Sequence, residues 1–215
     1  MENPTFQERQ KEAQSLFEMS HDYIGTFVHA RFIRVAVTND NKYIISRGYG
    51  DGMIGVWNIA DKTLYHRFEK VHSTANFKIA LTSDSKYIIT GSDDKTIGVW
   101  NIADKTLYHR FEHAHTGDIE SLIVTNDNKY IISRGNSNDR TIGVWNIADK
   151  TLFHRFETHS QEIRSMMVVT SDNKYIISTD GKTIGVWNIA ERTLYHRFEG
   201  AHSSPITSVE VTSDD

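Results

Sequence analysis

Residues 96–112 read Thr96-Ile-Gly-Val-Trp-Asn-Ile-Ala-Asp-Lys-Thr-Leu-Tyr-His-Arg-Phe-Glu112, and near copies of this string end at Glu69, Glu157 and Glu199. The copies place tryptophans at Trp57, Trp100, Trp145 and Trp187, at spacings of 43, 45 and 42. A histidine follows each copy, at His72, His115, His159 and His202, and His29 precedes the first, at spacings of 43, 43, 44 and 43. Two independent markers sharing one period are beyond chance, and a period in this range marks an architecture of stacked repeats.

Each repeat reads as four short strands. In the third, Ile119-Glu-Ser-Leu-Ile-Val-Thr125 alternates apolar and polar residues, the period of a half-buried strand. The turn cluster Asn126-Asp-Asn-Lys129 leads into Tyr130-Ile-Ile-Ser133, a short buried strand rich in β-branched residues. A second turn from Gly135 to Asp139 precedes Thr141-Ile-Gly-Val-Trp145, and Ala148-Asp-Lys150 turns the chain into Thr151-Leu-Phe-His-Arg-Phe156. Four strands joined by tight turns make a twisted antiparallel sheet with too little core to stand alone. Stacking such sheets face to face buries their large residues, as in a solenoid or a propeller. No repeat holds 10 to 12 residues of helical periodicity, which excludes the helical repeat classes.

A unit of about 43 residues, opened by a histidine and with a tryptophan closing its third strand, resembles the WD-repeat β-propeller family. The resemblance covers residues 22–215. It implies an all-β fold, a β-propeller of four-stranded antiparallel blades. Four complete units are expected at 29–71, 72–114, 115–158 and 159–201, with a partial unit at 202–215 and an N-terminal helical extension over 1–21. One departure is plain: the second residue of the signature dipeptide is Asn, at Asn58, Asn101, Asn146 and Asn188. The resemblance further implies a buried hydrogen-bond network in each blade. Its members would be His29, Ser46, Asp51 and Trp57; His72, Thr90, Asp94 and Trp100; His115, Ser133, Asp139 and Trp145; and His159, Ser178, Asp180 and Trp187. Asp180 lies one place early because its turn is shorter.

A His/Ser/Asp set in every unit has the composition of a hydrolase triad. Four copies at one period describe a scaffold rather than a single constellation in a cleft, so no catalytic residue is expected. Gly50-Asp-Gly52-Met-Ile-Gly55 fits a dinucleotide pattern, but that chemistry needs a following helix, and Val56-Trp57 continues a strand. The crowded run His109, Glu112, His113 and His115 suggests a metal site. His109 and Glu112 have counterparts in every unit, however, leaving only His113 unique, and neither a metal nor a cofactor is expected.

The chain has 215 residues, with 24 Lys+Arg against 28 Asp+Glu. Without a basic excess, neither nucleic acid nor an anionic membrane is an expected partner. No run of about 18 apolar residues is present, and the polar start carries no secretory signal. Asn3-Pro4-Thr5 fails as a glycosylation acceptor because of its proline. With no cysteine, a cytoplasmic setting is the default expectation.

On the outermost strand, alternation puts Leu107, His109 and Phe111 on one side and Tyr108, Arg110 and Glu112 on the other. Arg and Glu there would discourage edge pairing. Residues 5–19 read as a short helix, with Thr5 and Glu8 as a capping box and Phe6, Ala13, Leu16 and Phe17 on one face. His21 to Phe27 resembles a fourth strand and Pro205 to Val211 a first strand. The ends therefore lack the two strands between, and the chain is expected to be part of a longer propeller. An arc closed by self-association, or a compact ring of four or five blades, are the alternatives.

The resemblance implies a non-enzymatic scaffold that binds other proteins or peptides through its loops. The alternative is an architectural segment of a larger protein with a catalytic or signalling domain elsewhere. By position the partner-binding residues are Asp93 in the second blade, Asp118, Glu120 and Asn138 in the third, and Glu162 and Arg164 in the fourth. These vary on an otherwise repeated frame, which is where specificity can reside.

Overall fold

The computed structural model describes residues 34–48, 52–158 and 166–212. Four antiparallel sheets follow one another along the chain, each with its strands in sequence order. The first holds β1 (Arg34–Val37), β2 (Tyr43–Arg47), β3 (Ile54–Asn58) and β4 (Thr63–Phe68). The second holds β5 (Phe77–Leu81), β6 (Tyr87–Ser92), β7 (Ile97–Asn101) and β8 (Thr106–Phe111). β9 (Ile119–Val124), β10 (Tyr130–Gly135), β11 (Thr141–Asn146) and β12 (Thr151–Glu157) form the third. β13 (Met167–Val169), β14 (Tyr175–Asp180), β15 (Thr183–Asn188) and β16 (Thr193–Phe198) form the fourth. The expected helix at 5–19 and strand at 21–27 lie outside the described residues.

Local sequence accounts for both recurrent hairpins. In the first, Thr38 Oγ1 receives the Tyr43 N–H at 3.0 Å while the Asp40 carboxylate receives the Lys42 N–H at 3.0 Å. Asn41 takes the left-handed conformation, as do Ser85, Asn128 and Asn173 in the later copies. In the hairpin after the tryptophan, Asn101 Oδ1 accepts the Asp104 N–H at 3.0 Å and Asn101 Nδ2 donates to the Asp104 carboxylate at 2.7 Å. Asn146 and Asp149 repeat both bonds. This explains the Asn in the signature dipeptide: a second carboxylate there would face the first, whereas an amide both accepts and donates.

Between neighbouring sheets lie three apolar clusters, joining the first to the second, the second to the third and the third to the fourth. At each junction a phenylalanine of one sheet meets the tryptophan of the next: Phe68–Trp100 at 5.3 Å, Phe111–Trp145 at 5.0 Å and Phe156–Trp187 at 5.3 Å between ring centroids. The glycine two residues before each tryptophan makes room for the indole. A Cβ on Gly98 would sit 2.6 Å from Trp100 Nε1 and 2.8 Å from Thr90 Oγ1. At the far end of the sheets the hairpin tips are laced together: Asn39 Nδ2 donates to the Ser83 carbonyl, the Ser83 N–H to Asn128 Oδ1, and the Asn126 N–H to Asn173 Oδ1.

Two expectations need correction. A register shift between Val99 and Trp100 in the β7–β8 pairing, repeated in the other three sheets, breaks the simple alternation of the outer strand. Tyr108 therefore packs in the same inter-sheet cluster as Phe111 instead of opposite it, and Leu107 is exposed. Residues Pro205 to Val211 form no strand. A first strand needs a second beside it, and the described residues supply none. Instead the Ile206 N–H donates to the Gly181 carbonyl at 2.7 Å, and the Ile206 side chain is buried.

Trp100 is buried against Phe68, so Trp100→Ala should destabilise by about 3–5 kcal/mol and Gly98→Ala, through overpacking, by about 1–3 kcal/mol. Denaturant melts followed by fluorescence of the remaining tryptophans measure both. Losses below about 1 kcal/mol would contradict this packing.

Candidate functional site

The third sheet shows the network in full. Trp145 Nε1–H donates to Ser133 Oγ at 2.8 Å, Ser133 Oγ lies 2.7 Å from His115 Nε2, and His115 Nδ1 lies 2.7 Å from Asp139 Oδ1. An indole N–H can only donate, so the serine hydroxyl turns its own proton to Nε2 and leaves Nδ1–H to face the carboxylate. The second oxygen of Asp139 takes the Thr116 N–H at 2.6 Å and the Thr116 hydroxyl at 2.8 Å. The second sheet repeats the chain of contacts. Trp100 Nε1 reaches Thr90 Oγ1 at 3.0 Å, Thr90 Oγ1 reaches His72 Nε2 at 2.8 Å, and His72 Nδ1 reaches Asp94 at 3.0 Å.

In the other two sheets the described part is shorter. Trp57 reaches Ser46 at 2.8 Å and Trp187 reaches Ser178 at 2.8 Å. His29, Asp51 and His159 lie outside the described residues. Asp180 pairs with Thr183 through the backbone of β14 and β15; its side chain lies outside the description.

Besides Ser73 and Thr116, which bind the aspartates, four residues in these networks escaped the sequence reading. Thr141 Oγ1 donates to Asp139, and Arg155 Nη1 donates to Thr141 Oγ1 at 2.9 Å while Nη2 donates to the Ala114 carbonyl at 2.7 Å. Thr96 and Arg110 do the same in the second sheet, Arg110 reaching Thr96 Oγ1 at 3.1 Å and the Val71 carbonyl at 2.8 Å. Each guanidinium also lies over its own sheet's indole, at 5.6 Å for Arg110 and 5.5 Å for Arg155. The outer-strand arginine is thus part of the interior network as well as a charge on an edge. Its signal was present: Arg67, Arg110, Arg155 and Arg197 each follow a tryptophan by ten residues.

Ser133, His115 and Asp139 have the contacts of a hydrolase triad, but their setting makes them structural. Ser133 has no exposed surface, and its oxygen already accepts the indole proton. A nucleophile needs room for a carbonyl carbon and donors for an oxyanion, and this hydroxyl is enclosed. The crowded histidine run is dispersed. His109 stacks edge-on against Phe111 at 4.5 Å, Glu112 lies 3.9 Å from Arg110, His113 stands in a left-handed turn, and His115 is in the network. Gly55, of the glycine pattern, lies within β3 rather than ahead of a helix.

Four of the candidate partner-binding residues are described, and they lie beside the network histidines and aspartates in the chain. Asp93 is half-buried and accepts from Asn76 Nδ2 at 2.7 Å. Asp118 is half-buried, and its carbonyl accepts the Asn136 N–H at 2.8 Å. Asn138 is exposed, its backbone held by Asn136 Oδ1 at 3.0 Å. Glu120 is half-buried and lies 3.3 Å from the buried guanidinium of Arg134, a partner that the sequence reading did not foresee. Glu162 and Arg164 lie outside the described residues.

Burial pushes the His72 imidazole down to about 4, against the opposing pull of Asp94. For Asp94 burial favours the protonated acid, but hydrogen bonds from the Ser73 N–H and from Thr96, with the charge of His72, hold the carboxyl below the usual range. Asp139 is held well below it by the same kinds of contact, from His115, Thr141 and the Thr116 N–H. A depressed histidine favours the neutral native form, so its stabilisation is complete above the unfolded value near 6.5 and is lost as pH falls through about 4. The two aspartates add a further loss only below about pH 4. Stability should therefore fall between about pH 6.5 and pH 4 by up to about 1.4 kcal/mol per pH unit from His72 alone. Urea melts at about pH 7.5 and about pH 5 test this, and equal stabilities would contradict a buried neutral imidazole.

A family model described as "WD domain, G-beta repeat" matches residues 65–101, 105–146 and 150–188, together more than half of the chain. The solved structure of the RRP9 WD40 repeats superposes with a TM-score of 0.64 at 24% identity, covering 80% of this chain and 55% of that one. The structure of U3-55K gives a TM-score of 0.65 at 24% identity, covering 82% and 57%. The chain thus spans little more than half the length of either. Comparison with curated proteins found no match. Four consecutive antiparallel sheets, a network running from tryptophan to aspartate, and the matched repeat model agree: the chain belongs to the WD-repeat, or G-beta repeat, family of β-propellers.

Proposed function

We propose that this chain is a non-enzymatic scaffold that binds a protein or peptide across the loop end of its second and third blades. The observation that carries this reading is a contrast between frame and rim. From Trp to Arg the two networks make the same contacts at matching positions, whereas the side chains around them differ. Three residues after the histidine stands Ala75 in one blade and Asp118 in the other, and Glu120 of the third blade has no rim counterpart in the second, where Phe77 is buried in the core. The position before the network aspartate is Asp93 in one and Asn138 in the other.

These groups project from backbone that the networks hold rigid, so binding would cost little ordering entropy. Their carboxylates favour a partner segment carrying Lys or Arg, with long-range attraction speeding the encounter. Glu162 and Arg164 would extend the same surface in the fourth blade.

Affinity capture with residues 1–215 as bait, read by quantitative mass spectrometry, tests this reading. A bound protein should lose affinity by about tenfold or more with Asp118→Lys combined with Asn138→Ala. Asp84→Lys, on the hairpin tips at the opposite end of the sheets, should leave it bound. Retention by the loop variant and loss with Asp84→Lys would place the binding surface at the other end.

A further inference from the structure

Asn136 is the one asparagine of the chain followed by a small residue, Ser137; every other precedes Asp, Lys, Ile, Phe or Pro. The difference is chemical. The backbone nitrogen after an asparagine can attack the side-chain amide carbon and close a five-membered ring, and a branched or bulky neighbour crowds that nitrogen. Asn136 and Ser137 occupy the loop between β10 and β11 and are both half-buried, so water reaches the turn.

The turn presents the amide for this reaction. Asn136 Oδ1 accepts the Asn138 N–H at 3.0 Å and the Asp139 N–H at 3.2 Å. Two donors on that oxygen polarise the carbonyl and stabilise the negative charge that forms on it when the nitrogen attacks. Among the described residues neither the Ser137 N–H nor Asn136 Nδ2 meets an acceptor, so attacking and leaving nitrogens are both unrestrained. The Asn136 N–H donates to the Asp118 carbonyl at 2.8 Å and Arg140 Nε to the Ser137 carbonyl at 3.1 Å, which hold the turn closed around them. Glycine at 117 leaves the amide its place, since a Cβ there would collide with Asn136 Oδ1.

We propose that Asn136 is a site of spontaneous deamidation in the loop of the third blade. Base in solution removes the Ser137 N–H proton, and the nitrogen bonds to Asn136 Cγ. The Cγ–Nδ2 bond then breaks as Nδ2 takes up a proton and leaves as ammonia. Water opens the resulting succinimide at either carbonyl, giving aspartate or isoaspartate at 136. Isoaspartate routes the main chain through Cβ and lengthens it by one carbon, displacing Asn138 and Asp139. Asp139 ends the network, 2.7 Å from His115 Nδ1 and 2.6 Å from the Thr116 N–H, so this displacement loosens the brace of the third blade. Asn138 and Asp118 also belong to the surface proposed above for a partner, and a change of binding there rests on that reading.

Incubation of residues 1–215 at about pH 7 and about pH 9, with tryptic peptide mapping at intervals, tests the proposal. Cleavage after Arg134 and Arg140 isolates residues 135–140, and fragment spectra separate Asn136 from Asn138. Position 136 should gain about 1 Da, faster at the higher pH. The pairs Asp51-Gly52 and Asp180-Gly181 can isomerise without any change of mass, so the gain is not confused with theirs. Conversion at Asn136 should outpace every other asparagine by about tenfold, and Ser137→Ile should slow it by about tenfold. Circular dichroism checks that this variant is folded. Asn136→Asp should fold and gain no mass at 136. In urea melts the isoaspartate form, separated by ion exchange, should unfold at a lower midpoint than fresh protein. Another asparagine converting first, no gain at 136, or a rate indifferent to Ser137→Ile would overturn the proposal. Equal midpoints would overturn the loosening of the brace. No readout involves a bound partner, so the site holds or fails apart from the binding surface.

Discussion

Each tryptophan satisfies two demands at once, and the rest of the structure follows from meeting both. Its ring must be buried, because it fills the gap between two sheets against the neighbour's phenylalanine. Its N–H can only donate, and leaving it unpaired there would cost about 1–3 kcal/mol. The acceptor therefore lies in the same sheet, as Ser46, Thr90, Ser133 or Ser178. A hydroxyl that accepts the indole proton needs somewhere to send its own, and in the second and third blades a histidine takes it. That fixes the tautomer, which in turn calls for an aspartate, and the aspartate collects a threonine and, through it, an arginine from the outer strand. Packing between sheets and hydrogen bonding within them are thus coupled through one side chain.

The resemblance to a catalytic triad is instructive for the same reason. A nucleophilic serine and this one share the histidine and the aspartate, and both rely on a fixed tautomer. They differ in what approaches the hydroxyl. Here the approach is filled by an indole, and the glycine beneath it leaves no space for a Cβ, let alone a substrate. The low dielectric that strengthens each bond also keeps the His72 imidazole neutral. Groups that would be poised for proton transfer in a cleft become a pH-sensitive brace when buried.

Most of this could be read along the chain because the repeat supplies its own control. Period located the tryptophans and histidines, and the resemblance to the WD-repeat family then implied the hydroxyl and the aspartate, whose offsets from the tryptophan vary between units. What the period could not show was the register shift at the tryptophan, which inserts one residue into the outer strand. Parity reasoning therefore faced Tyr108 the wrong way and treated Arg110 only as an edge charge. The arginine's constant ten-residue offset was visible, but assigning it to the network required the bulge and the guanidinium distances. Thr96 and Thr141 were obscured differently: the first blade has Met53 at that place, so the position is not uniform. Glu120 reads only as a partner-binding residue because Arg134 sits on another strand, and a pairing between strands leaves no mark in a single sequence.

In the fourth blade the described part of the network is its first bond. Its Trp187–Ser178 bond is as short as those in the interior blades, because its leading face is covered by Phe156 and the third sheet. On its trailing side the contacts change. Arg197, the counterpart of Arg110, lies 3.7 Å from Glu199, and Thr183, the counterpart of Thr96, donates to the same carboxylate at 3.2 Å. Both contacts are open to solvent, and such ion pairs contribute little. Arg110 of the second blade makes the matching contact with Glu112, so among the described residues the difference in the fourth blade is that its threonine joins this outer pair. In a fold of stacked repeats stability is a sum of units and of the junctions between them, so a blade is held by its covered faces as well as by its own bonds.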